Sequence, residues 1–323
     1  MLVTGATGFT GAHLCRHLVE RGETVSAFVR SSSRTDELVR LGVDCRVVDI
    51  RDRNQVAKSF DEFTAVYHIA AAYRVEHADL EEFRRVNVDA TRNLLEAAAG
   101  AAVRRFVHCS TVGVQGHIED PPANEEYRFA PGDNYQRSKL EGELLAREYA
   151  AKGLAVSIVR PAAIYGPGDR RFLKLFRAIA RRRFVMVGDG RTLYHLVYVE
   201  DLVRGILLAG SRPEAIGEVC TIAGDRYTTL QELVEIVAET LGAPKPWLRV
   251  PYAPVYVASV ICQRACQLVG INPPLYPRRA EFFVKSRAFD ISKARRLLGY
   301  EPTVKLEDGL AKTAAWYRQQ GLL

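Results

Sequence analysis

The chain is poor in the residues that mark disulfide scaffolds and metal centres. Its 323 residues include six cysteines, two methionines and two tryptophans. The cysteines lack the paired spacing of zinc sites or disulfide frameworks: they are Cys15, Cys45, Cys109, Cys220, Cys262 and Cys266. We therefore expect free thiols, no metal ion and a reducing, cytoplasmic location.

Repeats, low-complexity tracts and targeting signals are also missing. Hydrophobic residues make up 48% of the chain and charged residues 26%, which is an ordinary globular composition. A strand-like run that begins at Met1 predicts no secretory signal or transit peptide. The length suits one large domain or two unequal ones.

The charge balance is basic, with a formal net charge of +7. This charge suits an anionic ligand, a nucleic acid or an acidic membrane surface. The densest basic runs are Arg170–Arg171 and Arg181–Arg183, which flank an apolar helix. No aromatic residues interleave with them, so we expect solvated helix ends and no nucleic-acid partner.

The first half of the chain alternates short apolar runs with amphipathic helical stretches. Such alternation, with apolar strands, predicts an α/β fold in which a doubly wound parallel sheet is covered by helices on both faces. The predicted strands are MLVTG, TVSAFVR, CRVVD, AVYHIAA, RFVHCST, AVSIVRPAAIYG and VCTIAG.

After Gly166 the alternation loosens and prolines cluster between 244 and 277. We predict a dinucleotide-binding domain of the Rossmann type over 1–167, with segments near 187–223 returning to it. A smaller, mainly helical substrate-binding domain is predicted over 168–186 and 224–323.

The stretch VTGATGFTG places Gly5, Gly8 and Gly11 between the first strand and the first helix. In this position, one glycine permits a tight turn, one lets a diphosphate approach the backbone and one lets the helix pack closely on the strand. The free amides and the helix dipole then face the negative charge. The alternative is a structural turn without a ligand.

Tyr135 and Lys139 lie four residues apart, so they share one face of a predicted helix. A neighbouring ammonium, together with an oxidised nicotinamide, favours ionisation of a phenol, which can then exchange a proton with an alcohol or a ketone. A solvated amphipathic helix is the alternative explanation of this spacing.

With these features, the chain resembles the extended short-chain dehydrogenase/reductase family over nearly its whole length. Further matching segments are HIAAA, VNVDATRNLLEAA, HCSTVGVQG, RPAAIYGPGD, LVYVEDLVRGI and FDISKARRLLGYEPTVKLEDGL. The resemblance implies a catalytic hydroxyl at Thr111, with Ser110 as the neighbouring candidate, beside Tyr135 and Lys139. It also gives Asn87 a structural role.

The same resemblance implies a set of cofactor-binding residues. Thr7 and Phe9 belong to the glycine motif, Asp49 and Ile50 border the adenine, and Ala70 and Ala71 border the phosphates and ribose. Pro161, which follows Arg160, shapes the nicotinamide pocket. Tyr135 and Lys139 also contact the cofactor.

The second predicted strand ends in Arg30, and Ser31 follows it, at the place where an acidic residue commonly binds the ribose 2′-hydroxyl of NAD. A guanidinium suits a 2′-phosphate, so NADP is the preferred prediction. The alternative is NAD, with Arg30 in a solvated loop.

Departures from the patterns of individual subfamilies reduce the range of possible substrates. Thr111 is followed by Val112 and Gly113 rather than by the acidic pair of the sugar-nucleotide dehydratases. Tyr194 and His195 stand where the epimerases carry an Arg–Asp pair. The C-terminal part instead resembles the 3β-hydroxysteroid dehydrogenase branch.

An apolar predicted helix covers 253–269 and is too short and polar to span a bilayer. It lines an apolar pocket, lies at a membrane interface with Arg278 and Arg279 near lipid phosphates, or is buried within the smaller domain. The family also implies a homodimer formed through helices that include the one bearing Tyr135.

Three functions remain open from the sequence. The preferred one is an NAD(P)-dependent oxidoreductase that transfers hydride between nicotinamide and a secondary alcohol or ketone on a small-molecule substrate that is sterol-, terpenoid- or lipid-like. The others are a sugar-nucleotide epimerase and a non-catalytic NAD(P)-binding sensor.

Overall fold

A computed structural model describes residues 1–60, 63–73, 79–271 and 273–323, apart from the side chains of Arg278 and Arg279. The strands are β1 (Leu2–Thr4), β2 (Ser26–Val29), β3 (Asp44–Val47), β4 (Ala65–His68), β5 (Arg105–Cys109), β6 (Val156–Pro161), β7 (Ala163–Tyr165), β8 (Met186–Val187), β9 (Leu193–Tyr198), β10 (Val219–Ile222), β11 (Tyr227–Thr229) and β12 (Arg249–Val250).

The α-helices follow in the same chain order. They are α1 (Phe9–Glu20), α2 (Asp36–Arg40), α3 (Arg53–Ser59), α4 (Leu80–Arg84), α5 (Ala90–Gly100), α6 (Asn134–Ala151), α7 (Leu173–Ala180), α8 (Val199–Ser211), α9 (Leu230–Leu241), α10 (Tyr252–Leu268), α11 (Pro277–Glu281), α12 (Ser292–Leu298) and α13 (Leu306–Gln319).

Seven strands form the central sheet in the order β10-β6-β5-β4-β1-β2-β3, and every neighbouring pair is parallel. The predicted α/β class with a Rossmann-type parallel sheet is confirmed. The chain order reverses beside β1, so the crevice for a ligand opens at the carboxyl ends of β1 and β4.

The side chains of the central strands pack into two separate hydrophobic cores, one on each face of the sheet. Successive side chains of a strand point to opposite faces, and here both faces are covered. Leu2 therefore packs into one hydrophobic core with Leu94 and Phe106, whereas Val3 packs into the core on the other face with Leu14 and Val203.

A further hydrophobic core lies around the three-stranded sheet β11-β9-β7. It includes Tyr165, Phe176, Leu230 and Tyr317, contributed by β7, α7, α9 and α13. The domain boundaries at 167, 186 and 224 remain predictions.

Helix α10 differs from one of the alternatives left open by its sequence. Ser259 and Cys266 are its buried residues, while its large aliphatic side chains Val257, Ile261 and Leu268 are exposed. The interpretation of this segment as a buried packing helix is therefore wrong. Among the residues described, none belongs to a helix that is long and apolar enough to cross a membrane.

Candidate active site

The predicted site residues lie at one edge of the central sheet or on the helix beside it. Gly5, Thr7, Gly8, Phe9 and Gly11 connect β1 to α1, and the carboxyl ends of the next strands lead into Arg30, Ser31, Asp49, Ile50, Ala70, Ala71 and Thr111. Pro161 is the last residue of β6, and Tyr135 and Lys139 lie on α6.

The glycine loop is packed too tightly for side chains at two positions. Gly5 has a φ of +74°, and a Cβ there would lie 2.7 Å from the amide nitrogen of Ala70. A Cβ on Gly11 would lie 2.1 Å from the carbonyl oxygen of Gly5. These contacts bring the first helix against the turn and place Ala70 beside it.

The start of α1 fits an anionic group. Gly8 is the N-cap residue, with no side-chain hydrogen bond to the first turn and no acidic residue within that turn. Thr7 and Gly8 are exposed. The unpaired amides and positive dipole end are thus accessible, which is the arrangement that holds a dinucleotide diphosphate.

The loops after β2 and β3 carry opposite charges. Asp49 accepts two hydrogen bonds from the Arg51 guanidinium, at 2.6 Å from Nη2 and 2.9 Å from Nε. The bond from Arg51 lowers the pKa of Asp49, and the charge of Arg30 acts in the same direction. Arg30 and Asp49 thus follow the carboxyl ends of two neighbouring parallel strands, β2 and β3.

Asn87 joins the loop after β4 to the helix that bears the tyrosine. Its Oδ1 accepts a 2.8 Å hydrogen bond from the Ala72 amide, and its Nδ2 donates to the Ser138 hydroxyl at 2.9 Å. Ser138 in turn donates to the Tyr135 carbonyl at 2.8 Å. Asn87 lies in a π-helical turn, Arg85–Asp89, between α4 and α5.

Helix α6 positions Tyr135 and Lys139 against β5. Asp133 caps this helix by accepting a 2.8 Å hydrogen bond from the Gln136 amide. The Lys139 ammonium is buried and donates to the Cys109 carbonyl at 2.6 Å. The Tyr135 ring packs edge-on against Tyr73, with 4.9 Å between ring centroids.

The two candidate hydroxyls, those of Ser110 and Thr111, have different hydrogen-bond partners. Ser110 is buried and donates to the Glu143 carboxylate at 2.7 Å; Glu143 also pairs with the buried Arg160. Thr111 is half-buried and its Oγ1 accepts a 3.1 Å hydrogen bond from the Gly113 amide. The proton of Thr111 is thus available to a substrate oxygen, which favours Thr111 over Ser110.

Burial dominates the ionisation of Tyr135 and Lys139. It raises the pKa of Tyr135 and lowers the pKa of Lys139, because both charged forms lose solvation. The lowering of the Tyr135 pKa expected from its lysine neighbour is not produced by the protein groups alone. The Lys139 ammonium donates to the Cys109 carbonyl, and the loss of solvation has the largest influence on the pKa of Tyr135.

Two histidines behind the site belong to the sheet. His68 Nδ1 lies 2.7 Å from the Thr4 hydroxyl and Nε2 lies 2.9 Å from that of Thr91. His108 is fully buried, and neither ring nitrogen has a hydrogen-bond partner within the described structure. Burial lowers the pKa of both rings, so both are neutral.

Arg171 was predicted to lie at a solvated helix end, but its side chain is engaged inside the protein near Tyr135. Arg171 donates to Asp169 at 2.9 Å and to the Ile164 carbonyl, and its charge acts on Tyr135. Asp169 is buried and also caps the following turn through the Phe172 amide. An acidic residue two positions before a basic one, just after GPG, was the available signal.

Comparison with known proteins identifies the group to which this arrangement belongs. The profile of the NAD dependent epimerase/dehydratase family matches residues 1–223. The chain belongs to the NAD-dependent epimerase/dehydratase family. This membership confirms the resemblance to the extended short-chain dehydrogenases/reductases.

Two curated relatives match over nearly the whole chain. "Sterol demethylase protein B" of Methylococcus capsulatus is 33% identical over 340 residues, covering 100% of this chain and 99% of that protein. "3beta-hydroxysteroid-dehydrogenase/decarboxylase isoform 1" of Arabidopsis thaliana is 30% identical, covering 97% of this chain and 78% of that protein.

A solved relative with the same fold is the UDP-glucose 4-epimerase of Thermotoga maritima with UDP-glucose. It has a TM-score of 0.80 and 26% identity, covering 99% of this chain and 98% of that chain. Members and relatives of the family are dehydrogenases, epimerases, dehydratases and reductases. The protein is accordingly an NAD(P)-dependent enzyme of the oxidoreductase type. The hypothesis of a non-catalytic sensor, which the sequence had left open, is not supported.

Proposed function

We propose that the protein is a dehydrogenase or ketone reductase acting on a secondary alcohol or ketone of a large apolar, sterol-like molecule. The observation that carries the reaction type is the arrangement of Thr111, Tyr135 and Lys139 at the carboxyl edge of a sheet with a fitting glycine loop. The sterol-related names of the two curated relatives support the substrate class.

Each residue has a distinct task in this proposal. The nicotinamide cofactor, when bound, supplies or accepts the hydride. Thr111 donates a hydrogen bond that orients the substrate oxygen, and Tyr135 exchanges the proton with that oxygen. Lys139, fixed by the Cys109 carbonyl, provides positive charge next to the phenol.

The surroundings of these groups support an apolar substrate. Tyr135 packs among Tyr73 and Phe83, with centroids 4.9 and 6.4 Å away. Tyr194 and His195, at the position of the epimerases' diphosphate-binding pair, are instead bonded internally to the carbonyls of Phe282 and Gly224. These two side chains are thus engaged inside the protein.

We also propose NADP as the preferred cofactor, because the exposed Arg30 and Ser31 follow β2 where the adenosine ribose binds. A homodimer through α6 forms part of the same proposal and is supported by Leu144, an exposed leucine on that helix. The six cysteines, all free thiols, support a cytoplasmic location.

The sugar-nucleotide epimerase is the second candidate, supported by the fold shared with the UDP-glucose 4-epimerase. The test supplies 3β-hydroxysteroids with NADP⁺ or NAD⁺, the matching ketones with the reduced cofactors, and UDP-glucose with NAD⁺. We expect a net change in nicotinamide absorbance with a steroid. Isomerised sugar nucleotide without a net absorbance change would contradict the proposal.

A further inference from the structure

The outward face of α10 is apolar, the reverse of an ordinary surface helix. Val257, Ile261 and Leu268 are 56%, 63% and 88% exposed. They lie at i, i+4 and i+11 and so share one face. The opposite face holds the buried Ser259 and Cys266.

The exposed apolar residues continue beyond the helix on both sides. Trp247, before α10, is 84% exposed, and Val269 and Ile271, after it, are 67% and 59% exposed. The apolar α10 surface, as we define it, consists of Trp247, Val257, Ile261, Leu268, Val269 and Ile271. Exposed apolar residues concentrated in one segment mark a binding surface.

The charge of this segment has one sign. Residues 240–280 contain no aspartate or glutamate and five basic residues: Lys245, Arg249, Arg264, Arg278 and Arg279. Arg264 is exposed and lies three residues after Ile261 and four before Leu268, so it belongs to the same outward face. The side chains of Arg278 and Arg279 lie outside the described structure.

We propose that the apolar α10 surface docks onto an anionic lipid bilayer, with α10 lying in the plane of the interface. Aliphatic side chains on one helix face with a basic residue among them are the features of an interfacial helix, and an exposed tryptophan shortly before the helix in the chain is typical of such segments. The aliphatic part of Arg264 follows the apolar surface while its guanidinium meets lipid phosphates.

The charge distribution selects a bilayer over a second copy of the chain. A two-fold contact through this surface would bring Arg264 and its cationic segment against the same segment of the partner, which is not self-complementary. An anionic bilayer provides both the apolar layer and the opposite charge. Delivery of an apolar substrate by this contact rests on the proposed function, whereas the docking itself does not.

Flotation with vesicles tests the docking without any substrate. The full-length protein is mixed with vesicles of phosphatidylcholine alone or of phosphatidylcholine with phosphatidylglycerol. We expect flotation with the anionic vesicles that weakens as salt rises. Ile261→Asp should reduce this binding at least about tenfold, and Arg264→Glu should reduce it on anionic vesicles.

Val39→Asp is the matched control, because Val39 is an aliphatic residue on α2 with 58% exposure. Its flotation should equal that of the unmodified protein. The proposal is overturned if the unmodified protein floats with neither kind of vesicle. The same conclusion follows if Ile261→Asp and Val39→Asp float to the same extent with anionic vesicles. It is also overturned if sedimentation shows that Ile261→Asp dissociates a dimer while flotation is unchanged.

The folded state of each variant is checked by its thermal unfolding. Should Ile261→Asp fail to fold, Arg264→Glu and the salt dependence decide the outcome. Flotation without turnover of any steroid would contradict the proposed function and leave the docking established. Turnover of a steroid without flotation would contradict the docking alone.

Discussion

The hydroxyl of Ser110 donates a 2.7 Å hydrogen bond to the carboxylate of Glu143 inside the protein, next to Thr111, whose oxygen accepts from the Gly113 amide. Adjacent hydroxyls therefore differ in what they can do. Ser110 supports the buried Glu143–Arg160 pair, and we propose that Thr111 donates its proton to the substrate oxygen.

Thr111→Ala should lower kcat/KM about 10²- to 10³-fold, because the substrate oxygen loses a positioned donor. Thr111→Ser should retain most of the activity. Ser110→Ala should lower the thermal unfolding midpoint with a smaller effect on kcat/KM, since Glu143 loses a buried hydrogen bond. Steady-state kinetics that showed the larger loss of turnover for Ser110→Ala would reverse this assignment.

Tyr135→Phe should remove turnover almost completely and leave cofactor affinity within a few-fold. The ring packing against Tyr73 is kept, and the group that exchanges the proton is lost. Calorimetric titration with the nicotinamide cofactor, beside a turnover assay, measures both effects. Retained turnover would show that another group handles the proton.

Gly11→Ala should destabilise the fold by more than about 3 kcal/mol, because the new methyl group meets the Gly5 carbonyl oxygen at 2.1 Å. Gly100→Ala is the matched control, since a Cβ at Gly100, the last residue of α5, meets nothing within 4 Å. It should leave stability unchanged or raise it by up to about 1 kcal/mol, because alanine favours a helix more than glycine does. Urea unfolding of both variants compares the free energies, and equal values would show that the loop relaxes freely.

Arg30→Asp should change cofactor preference from NADP towards NAD, because a carboxylate repels the 2′-phosphate and accepts from the ribose 2′-hydroxyl. Ratios of kcat/KM for NADP and NAD measure this change. Arg34→Asp provides a control for the added negative charge, as Arg34 is also exposed just after β2. A strong NAD preference of the unmodified enzyme would refute the role given to Arg30.

A pH-dependent cluster holds α1 to the start of α8. His13 Nδ1 and His17 Nε2 lie 2.7 and 2.9 Å from the two carboxylate oxygens of Glu200. Burial opposes ionisation of Glu200, but the hydrogen bonds from both histidines outweigh it and lower its pKa to about 2. The hydrogen bond to Glu200 raises the pKa of His17.

The two shifts define the pH range of this stabilisation. The Glu200 contribution is complete above its ordinary value of 4.5 and is lost as the pH falls towards about 2. The His17 contribution is present below its ordinary value of 6.5 and is lost as the pH rises through the raised pKa. Stability from the cluster is therefore greatest between about pH 4.5 and 6.5.

Glu200→Gln should cost about 1–2 kcal/mol in that range after allowance for screening, because the carboxylate is one-third exposed. Glu37→Gln, which removes the more exposed pair with Arg16, should cost less than about 0.5 kcal/mol. Unfolding midpoints measured across pH test both variants. Parallel pH profiles for Glu200→Gln and the unmodified protein would exclude the cluster as the source.

The sheet was predictable because its strands, apart from the edge strand β3, are apolar on both faces and the glycine motif follows the first of them. Arg171 was not, because its burial depends on Asp169 and on the fold around Tyr73, which local charge patterning does not contain. The exposure of α10 was among the alternatives that its sequence left open, because apolar spacing alone does not show whether protein or another phase covers the helix. The π-helical turn Arg85–Asp89 lies within a continuous helical pattern, so nothing in the spacing of its apolar residues marked it.

The amide of Asn87 has a mechanical consequence. It forms a hydrogen bond with the backbone of Ala72, which follows the residues beside the glycine loop. It forms a second one with the hydroxyl of Ser138, which lies about one helical turn from Tyr135. Asn87 therefore connects the loop after β4 to the helix that carries Tyr135. We therefore expect cofactor binding beside Ala70 and the position of the Tyr135 phenol to depend on each other through the side chain of Asn87.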